Sequence, residues 1–218
     1  MPDDGIAQPP TPTALLSHHA APFRRRLRRI GLAAAALALA AGASLFAPAP
    51  QARAAVALER VTDFGANPGG LNMYVYRPQS LPAHPAVVVA LHGCTQSAQV
   101  YADNSGLTKF ADQYGFLLVF AETTSSNNIN KCFNWFQAGD TQRGQGEVAS
   151  IRQMVAKAGS SYGGDPARTY VTGLSAGGAM TAAMLATYPD VFQAGAVVAG
   201  LPYRCATDVV SAYTCMNP

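Results

Sequence analysis

Short strand-like runs alternate with helix-like segments, and this alternation constrains the fold of the chain more than any other feature. The runs cover residues 86–91, 116–121, 168–172 and 194–199, and the segments between them that repeat apolar residues at helical spacing are 97–114, 147–158 and 176–188. An uninterrupted apolar run such as 86–91 indicates a strand that is buried on both faces. Strands that alternate with helices predict an α/β fold with a mostly parallel, doubly wound sheet.

Two further segments complete the outline. Residues 71–76 alternate apolar and polar side chains and stop before Arg-Pro, which predicts an edge strand. Residues 122–146 are rich in Asn, Ser, Thr and Gly and predict a long loop, a kind of segment that is functional or disordered in compact domains. Because ligands bind at the carboxyl ends of strands in open α/β sheets, residues 92–94 and Ser175 mark the candidate site.

A Gly-Leu-Ser-Ala-Gly pentapeptide at residues 173–177 lies between a strand-like run and a helix-like segment. The pattern Gly-x-Ser-x-Gly in that position is typical of a nucleophile elbow, a sharp turn that exposes a serine hydroxyl. Chance occurrence in a Gly-rich chain is the alternative, and the strand-to-helix context argues against it. We therefore predict that Ser175 is a catalytic nucleophile, with the following helix N-terminus favouring a developing anion.

The tripeptide His92-Gly93-Cys94 follows the first core strand and predicts the second part of the site. Beside an elbow of this kind, one oxyanion donor is the N–H of the residue after the nucleophile, and the other comes from the loop after this strand. These positions assign the backbone N–H groups of Ala176 and Cys94 to the oxyanion hole. We expect His92 to orient the loop and count it with the substrate-binding candidates. We reject it as general base, because the base follows the serine in this chain order.

The chain has no histidine after Ser175, so the base that activates a serine hydroxyl is missing from the part where the chain order requires it. Asp190 is expected to cap a helix, and Asp208 comes one strand too early for the catalytic acid. We nominate neither, and we expect the chain to lack the last two strands and the final helix of a full domain.

Trp135 is the only tryptophan and lies in the aromatic pentapeptide 132–136, inside the polar segment. It can pack under the loop in a small satellite cluster. It can also line a substrate groove, where an aromatic face offers a large contact area. Both interpretations stay open, and Trp135 is counted as a substrate-binding candidate.

The four cysteines are Cys94, Cys132, Cys205 and Cys215. They form no Cys-x-x-Cys pair and have no histidine cluster beside them, so a zinc site is not indicated. An even number of cysteines in an exported chain indicates disulfides, with three possible pairings. Proximity in the expected topology favours Cys94 with Cys132 and Cys205 with Cys215.

The first 54 residues have the features of an export signal. Five arginines lie within residues 23–29, an uncharged Ala- and Leu-rich stretch covers 30–47, and Ala-Arg-Ala at 52–54 fits a signal peptidase site. A retained membrane anchor is the alternative, since about 18 apolar residues can span a bilayer. Alanine partitions weakly, however, and a cleavage pattern follows. We predict residues 1–54 to be an export signal with an N-terminal extension, and 55–218 to be an incomplete secreted domain, exported by the Sec or the twin-arginine route.

The formal net charge of +3 comes from this leader. Residues 55–218 hold nine basic and ten acidic side chains, and the basic ones are scattered along the chain. The composition therefore indicates no nucleic-acid partner, and we expect no stable membrane association once the signal is cleaved.

Three motifs carry a resemblance to a known family. Residues 91–96 are Leu-His-Gly-Cys-Thr-Gln, residues 132–136 are Cys-Phe-Asn-Trp-Phe, and residues 173–180 are Gly-Leu-Ser-Ala-Gly-Gly-Ala-Met. In this order they resemble the secreted esterases of the polyhydroxybutyrate depolymerase family, which also includes feruloyl and acetylxylan esterases. The resemblance covers residues 62–218.

This resemblance implies an α/β-hydrolase fold and ester hydrolysis through an acyl-enzyme on Ser175, with oxyanion donors at Cys94 and Ala176. It implies no cofactor and no metal. The substrate would be a polyester such as a polyhydroxyalkanoate, or acetyl or feruloyl esters linked to plant xylan. A second hypothesis is a non-catalytic polymer- or carbohydrate-binding remnant without the Asp–His pair, in which the sheet edge at 194–199 would be exposed.

Overall fold

The computed structural model describes residues 54–217, so the predicted export signal up to residue 53 lies outside the described residues. The elements in chain order are β1 (Glu59–Val61), β2 (Asn72–Tyr76), β3 (Val87–Leu91), α1 (Ala98–Ser105), α2 (Leu107–Tyr114), β4 (Leu117–Glu122), α3 (Ala138–Thr141), α4 (Gly146–Tyr162), a 3₁₀ turn (Pro166–Arg168), β5 (Thr169–Leu174), α5 (Ala176–Thr187), β6 (Ala194–Val198) and α6 (Val209–Met216). Across this range, no helix has the length and apolar character needed to cross a membrane.

The strands form one six-stranded sheet in the order β1-β2-β4-β3-β5-β6. The four strands from β4 to β6 run parallel to one another, and β1 and β2 pair antiparallel at one side. At the centre, Val89 of β3 is level with Val119 of β4 and Val171 of β5, and all three side chains are buried. The sheet is therefore mostly parallel, as the alternation of strands and helices predicts.

Helices cover both faces of this sheet. On one face, α4 and α5 place Met154 and Met180 in the larger core. On the other face, α1 packs Tyr101 edge-to-face on Phe120 of β4, with the ring centroids 6.3 Å apart. Because both faces are covered, the central strands contain consecutive apolar residues instead of an alternating pattern.

Residues 71–76 do not form an edge strand, contrary to the expectation. The strand there, β2, lies between β1 and β4. The edge is β1, in which Glu59 pairs with Val75 and Val61 with Met73. A strand of three residues has no readable alternation, so the sequence pattern could not reveal it.

The helix expected over 97–114 is two helices. Ser97 caps α1 by accepting a hydrogen bond from the N–H of Val100 at 3.2 Å. α1 ends because Gly106 adopts a left-handed conformation, with φ of 75°, and α2 begins at Leu107. Glycine enters this conformation without a Cβ clash, which makes it a common helix end.

The strand expected at 194–199 is present as β6, but in the described residues it is the outer strand of the sheet and not a buried core strand. There β6 pairs only with β5, and each of its five residues is exposed. A short apolar run predicts a strand but not its position in the sheet. Whether the strand is central or outer depends on the neighbouring elements that pack against it.

The polar segment after β4 is folded into the domain. It contains the short helix α3, and Phe133 within it is completely buried in the larger core. Asn127 donates its side-chain N–H to the carbonyl oxygen of Gly69 at 2.6 Å. These contacts hold the segment over the carboxyl ends of the central strands, where the candidate site lies.

Candidate active site

Ser175 lies on a tight turn between β5 and α5. Its backbone has φ of 56° and ψ of −119°. A conformation this rare for a non-glycine residue costs about 1–3 kcal/mol and persists only where the surroundings enforce it. The N–H of Ser175 donates a hydrogen bond to the carbonyl oxygen of Val198 at 2.9 Å, which ties the turn to β6.

Close backbone approaches explain the two glycines of the pentapeptide. A Cβ atom on Gly173 would overlap the carbonyl of Gly177. A Cβ atom on Gly177 would overlap the carbonyl oxygens of Leu91 and His92 at the end of β3. The glycines therefore let α5 begin directly against two strands, and this sharp start leaves the Ser175 side chain exposed.

Ser175 opens into a cavity of about 440 Å³ at the carboxyl ends of β3 and β5. Its apolar lining comes from Trp135, Phe136, Leu201, Val209, Tyr213 and Met216, and its polar lining from Thr95, Asn128 and Asn130. A mostly apolar cavity with a few convergent polar groups is the usual form of a small-molecule site.

The loop after β3 lies directly beside the serine. A Cβ atom built on Gly93 would lie 3.5 Å from the Cβ of Ser175. The N–H of Gly93 donates to Oε1 of Gln96 at 2.8 Å, and the N–H of Thr95 donates to the carbonyl oxygen of Asn130 at 2.7 Å. These bonds define the path of the loop past the hydroxyl.

Cys94 and Ala176 both line the cavity next to Ser175. Within residues 54–217, neither backbone N–H donates a hydrogen bond. Two unpaired N–H groups beside the predicted nucleophile have the chemistry that an oxyanion hole requires, since they can donate hydrogen bonds to a carbonyl oxygen that becomes negatively charged.

The structure contradicts the assignment of His92 to substrate binding. Its ring is completely buried, lies 5.0 Å from the ring of Phe133 between centroids, and does not line the cavity. Nε2 accepts a hydrogen bond from the N–H of Thr123 at 3.2 Å, so the proton resides on Nδ1, which donates to the carbonyl oxygen of Gly93 at 2.7 Å. Burial lowers the pKa of His92, which favours this neutral form. These contacts fit a residue that orients the loop and exclude a free base.

The described residues contain no acid and base for Ser175. Their other histidine, His84, is exposed on the surface and does not line the cavity. Asp208 caps α6 by accepting hydrogen bonds from the N–H groups of Val210 and Ser211 at 2.9 and 2.8 Å. The predicted nucleophile and its candidate oxyanion donors are therefore present in residues 54–217 without the partners of a triad.

Asp190 is not a helix cap, contrary to the expectation. Its carboxylate accepts two hydrogen bonds from the guanidinium of Arg143, at 2.6 and 2.7 Å. Arg143 also donates to the carbonyl oxygen of Thr187 and lies over the ring of Tyr188. This contact links the end of α5 to the segment before α4, away from the cavity lining.

Trp135 belongs to the larger core and also lines the cavity. It is 7% exposed and packs edge-to-face on Phe136, with the ring centroids 5.4 Å apart. A separate satellite cluster is therefore not what holds it. Trp135 thus packs in the larger core, and its contact with substrate stays a prediction that its place in the cavity lining supports.

Two disulfides surround the site, in the pairing that the sequence favours: Cys94 with Cys132, and Cys205 with Cys215. The first joins the loop after β3 to the segment that carries Trp135. The second attaches α6 to the chain that follows β6.

Sequence reasoning missed the contribution of α6 to the cavity. Val209, Tyr213 and Met216 project into it from one side of this helix. Their spacing of four and three residues is a helical signal that was available in the sequence. Local sequence also did not indicate that Glu147, in the first turn of α4, is completely buried and accepts a hydrogen bond from the N–H of Asn134.

Known proteins are similar to this chain over most of its described residues. The family model described as Esterase PHB depolymerase matches residues 70–218. Poly(3-hydroxyalkanoate) depolymerase C of Paucimonas lemoignei is 52% identical over 162 residues, which cover 74% of this chain and 39% of that protein. Acetylxylan esterase A of Aspergillus ficuum is 40% identical over 164 residues, which cover 74% of this chain and 54% of that protein.

Among solved structures, the acetyl xylan esterase from Aspergillus awamori is similar with a TM-score of 0.67 and 35% identity, over 71% of this chain and 56% of that chain. This similarity confirms the expected α/β-hydrolase fold. The chain spans about half the length of the relatives it matches, or less.

Proposed function

The chain belongs to the Esterase PHB depolymerase family, and on that premise we propose that it is an exported serine esterase with Ser175 as its nucleophile. The relatives are esterases, which supports hydrolysis of carboxylic esters. The observation that carries the proposal is the strained, exposed serine at the mouth of an apolar cavity, next to two unpaired backbone N–H groups.

In the proposed reaction, Oγ of Ser175 attacks the ester carbonyl carbon, and its proton passes to a general base. The N–H groups of Cys94 and Ala176 stabilise the oxyanion, and each such donor typically contributes about 3 kcal/mol to the transition state. The C–O bond breaks, the alcohol leaves with a proton, and an acyl-enzyme remains. Water then attacks the acyl carbon and releases the acid. The base and its carboxylate partner are not among residues 54–217, and the mechanism needs both from elsewhere in the protein.

The substrate that we propose is a polyester or a polysaccharide-linked acetyl or feruloyl ester. The names of the relatives include both classes, and the apolar cavity lining can accept either acyl group. Release of soluble acid from a polyhydroxybutyrate suspension and from acetylated or feruloylated xylan, measured in parallel, separates these classes.

Ser175→Ala tests the nucleophile with 4-nitrophenyl butyrate as substrate. We expect the replacement to lower kcat by at least about 10³-fold, because the attacking atom is removed. Ser160→Ala is the matched control, since that hydroxyl is exposed on α4 and bonds only the carbonyl oxygen of Lys157 in the described structure. Turnover that survives Ser175→Ala would refute the assignment.

The exposed strand β6 argues against the remnant hypothesis, because an uncovered outer strand can pair with other chains and aggregate. The remnant hypothesis predicts binding to polymer or polysaccharide without any turnover. A pull-down on polyhydroxybutyrate and on xylan, combined with the ester assay, distinguishes the two functions.

We also propose that the leader directs export and is cleaved after residue 54. The two disulfides agree with an oxidising compartment. N-terminal sequencing of the protein recovered from the culture medium is expected to begin at residue 55; an intact leader would refute cleavage.

A further inference from the structure

On the premise of the esterase function proposed above, we propose that Glu147 is a positioning residue, which holds the segment carrying Trp135 at the wall of the Ser175 cavity and thereby sets substrate affinity. Glu147 lies in the first turn of α4 and is completely buried. It does not line the cavity, so it acts through its neighbours.

The direct contact is with the residue before the tryptophan. Oε2 of Glu147 accepts a hydrogen bond from the backbone N–H of Asn134 at 2.8 Å, and Oε1 accepts from Nδ2 of the same residue at 3.5 Å. Both carboxyl oxygens are therefore directed at Asn134. Since Trp135 is the next residue, its position follows from this anchor.

Asn134 extends the anchor to the polar side of the cavity. Its Oδ1 accepts a hydrogen bond from Nδ2 of Asn128 at 3.2 Å, and its Nδ2 lies 3.4 Å from the carbonyl oxygen of Asn127. Asn128 lines the cavity together with Trp135. Through Asn134, the buried carboxyl group of Glu147 is thus connected to both Trp135 and Asn128 in the cavity lining.

Glu147 is itself held from two sides. Its backbone N–H donates to Oδ1 of Asp140 at 3.1 Å. A Cβ atom on Gly69 would lie only 2.5 Å from the Cα of Glu147, so the backbone at Gly69 packs tightly on this turn. The carboxyl group has little freedom to move away from Asn134.

The titratable group that faces Glu147 is Asp140, and no cation in the described residues forms an ion pair with either side chain. Burial raises the pKa of Glu147 well above 4.5, the N–H of Asn134 opposes this, and the charge of Asp140 adds to it. Ionised Glu147 accepts from both donors of Asn134. Protonated Glu147 carries an O–H, so one of its oxygens becomes a donor and the hydrogen bonds with Asn134 change. The position of the segment that carries Trp135 changes with them.

The tryptophan provides a readout that does not depend on catalysis, because Trp135 is the only one in the protein. Its emission is recorded against pH for the wild-type protein, Glu147→Gln and the control Glu59→Gln. Glu59 is exposed and accepts a hydrogen bond from the hydroxyl of Tyr162, remote from the cavity lining. We expect a pH-dependent change in emission maximum in the wild type and the control that is lost in Glu147→Gln.

Kinetics with 4-nitrophenyl butyrate supply the second readout. We expect Glu147→Gln to raise KM by about tenfold and to change kcat by less than about threefold, since Ser175 and the N–H donors stay in place. An unchanged emission titration in Glu147→Gln would overturn the positioning role. So would a fall in kcat at unchanged KM. If the wild-type protein hydrolyses no ester, the proposed function fails, and the emission titration still decides the role of Glu147.

Discussion

The disulfide between Cys94 and Cys132 joins the two segments that line the cavity nearest to Ser175. Cys94 belongs to the loop with the candidate oxyanion donor, and Cys132 begins the segment that carries Trp135. The bond links residues 38 positions apart, whereas Cys205 and Cys215 are separated by 10. Because it closes the longer loop, the first bond lowers the conformational entropy of the unfolded chain more than the second bond does.

Replacing Cys94 and Cys132 together with alanine should destabilise the protein by about 4 kcal/mol, against about 3 kcal/mol for the Cys205–Cys215 pair, on the loop-entropy relation. The first replacement should also lower esterase activity, although alanine keeps the backbone N–H, because the loop beside Ser175 loses its tether. Denaturant unfolding and the 4-nitrophenyl butyrate assay measure both effects. Equal activity in the two double variants would contradict a role of the first bond at the site.

Gly177→Ala should destabilise the protein by about 1–3 kcal/mol, the usual range for overpacking. The added Cβ would overlap the carbonyl oxygens of Leu91 and His92. Gly139→Ala in α3 is the control, since a Cβ there meets nothing within 4 Å. Denaturant midpoints compare the two variants. A neutral Gly177→Ala would mean that α5 can move away from β3.

Ser175→Gly should be more stable than Ser175→Ala by about 1 kcal/mol, because glycine tolerates the φ of 56° that alanine does not. Both variants lack the hydroxyl and should be equally inactive. The difference in thermal midpoint therefore isolates the backbone strain at the turn. A more stable alanine variant would show that the turn relaxes when the hydroxyl is absent.

Acid should weaken the contact between Arg143 and Asp190. The hydrogen bonds from Arg143 lower the pKa of Asp190 from 3.8 to about 2. A lowered pKa means that the contribution to stability is present above pH 3.8 and is lost as the pH falls through 3.8 toward 2. Both side chains are more than half exposed, so the effect is small.

Arg143→Gln tests this contact by thermal unfolding between neutral and acid pH. The gap in thermal midpoint between wild type and variant should close as the pH approaches the lowered pKa. Arg77→Gln removes an exposed charge without an ion pair among the described residues and should show a constant gap. A gap for Arg143→Gln that does not change with pH would show that packing on Tyr188, and not the ion pair, is what the arginine contributes.

Much of the fold could be predicted because its signals are local. The central strands are apolar runs, the helices have their own spacing, and the turn at Ser175 depends on glycines that lie two residues to either side. The break at Gly106 has a local cause as well, the left-handed conformation of that residue, but an isolated glycine within a helical pattern does not by itself specify a break.

The remaining features were decided by contacts between distant parts of the chain. The sequence determined an α/β alternation, a strained serine turn and a favoured pairing of cysteines, because each follows from residue type, spacing or order. Only the tertiary structure decided that His92 is buried beneath its loop, that β2 is flanked on both sides, that α6 lines the cavity, and that Glu147 anchors Asn134. The physical reason is that burial and hydrogen-bond partners depend on which elements pack together, and a local pattern does not identify the partner.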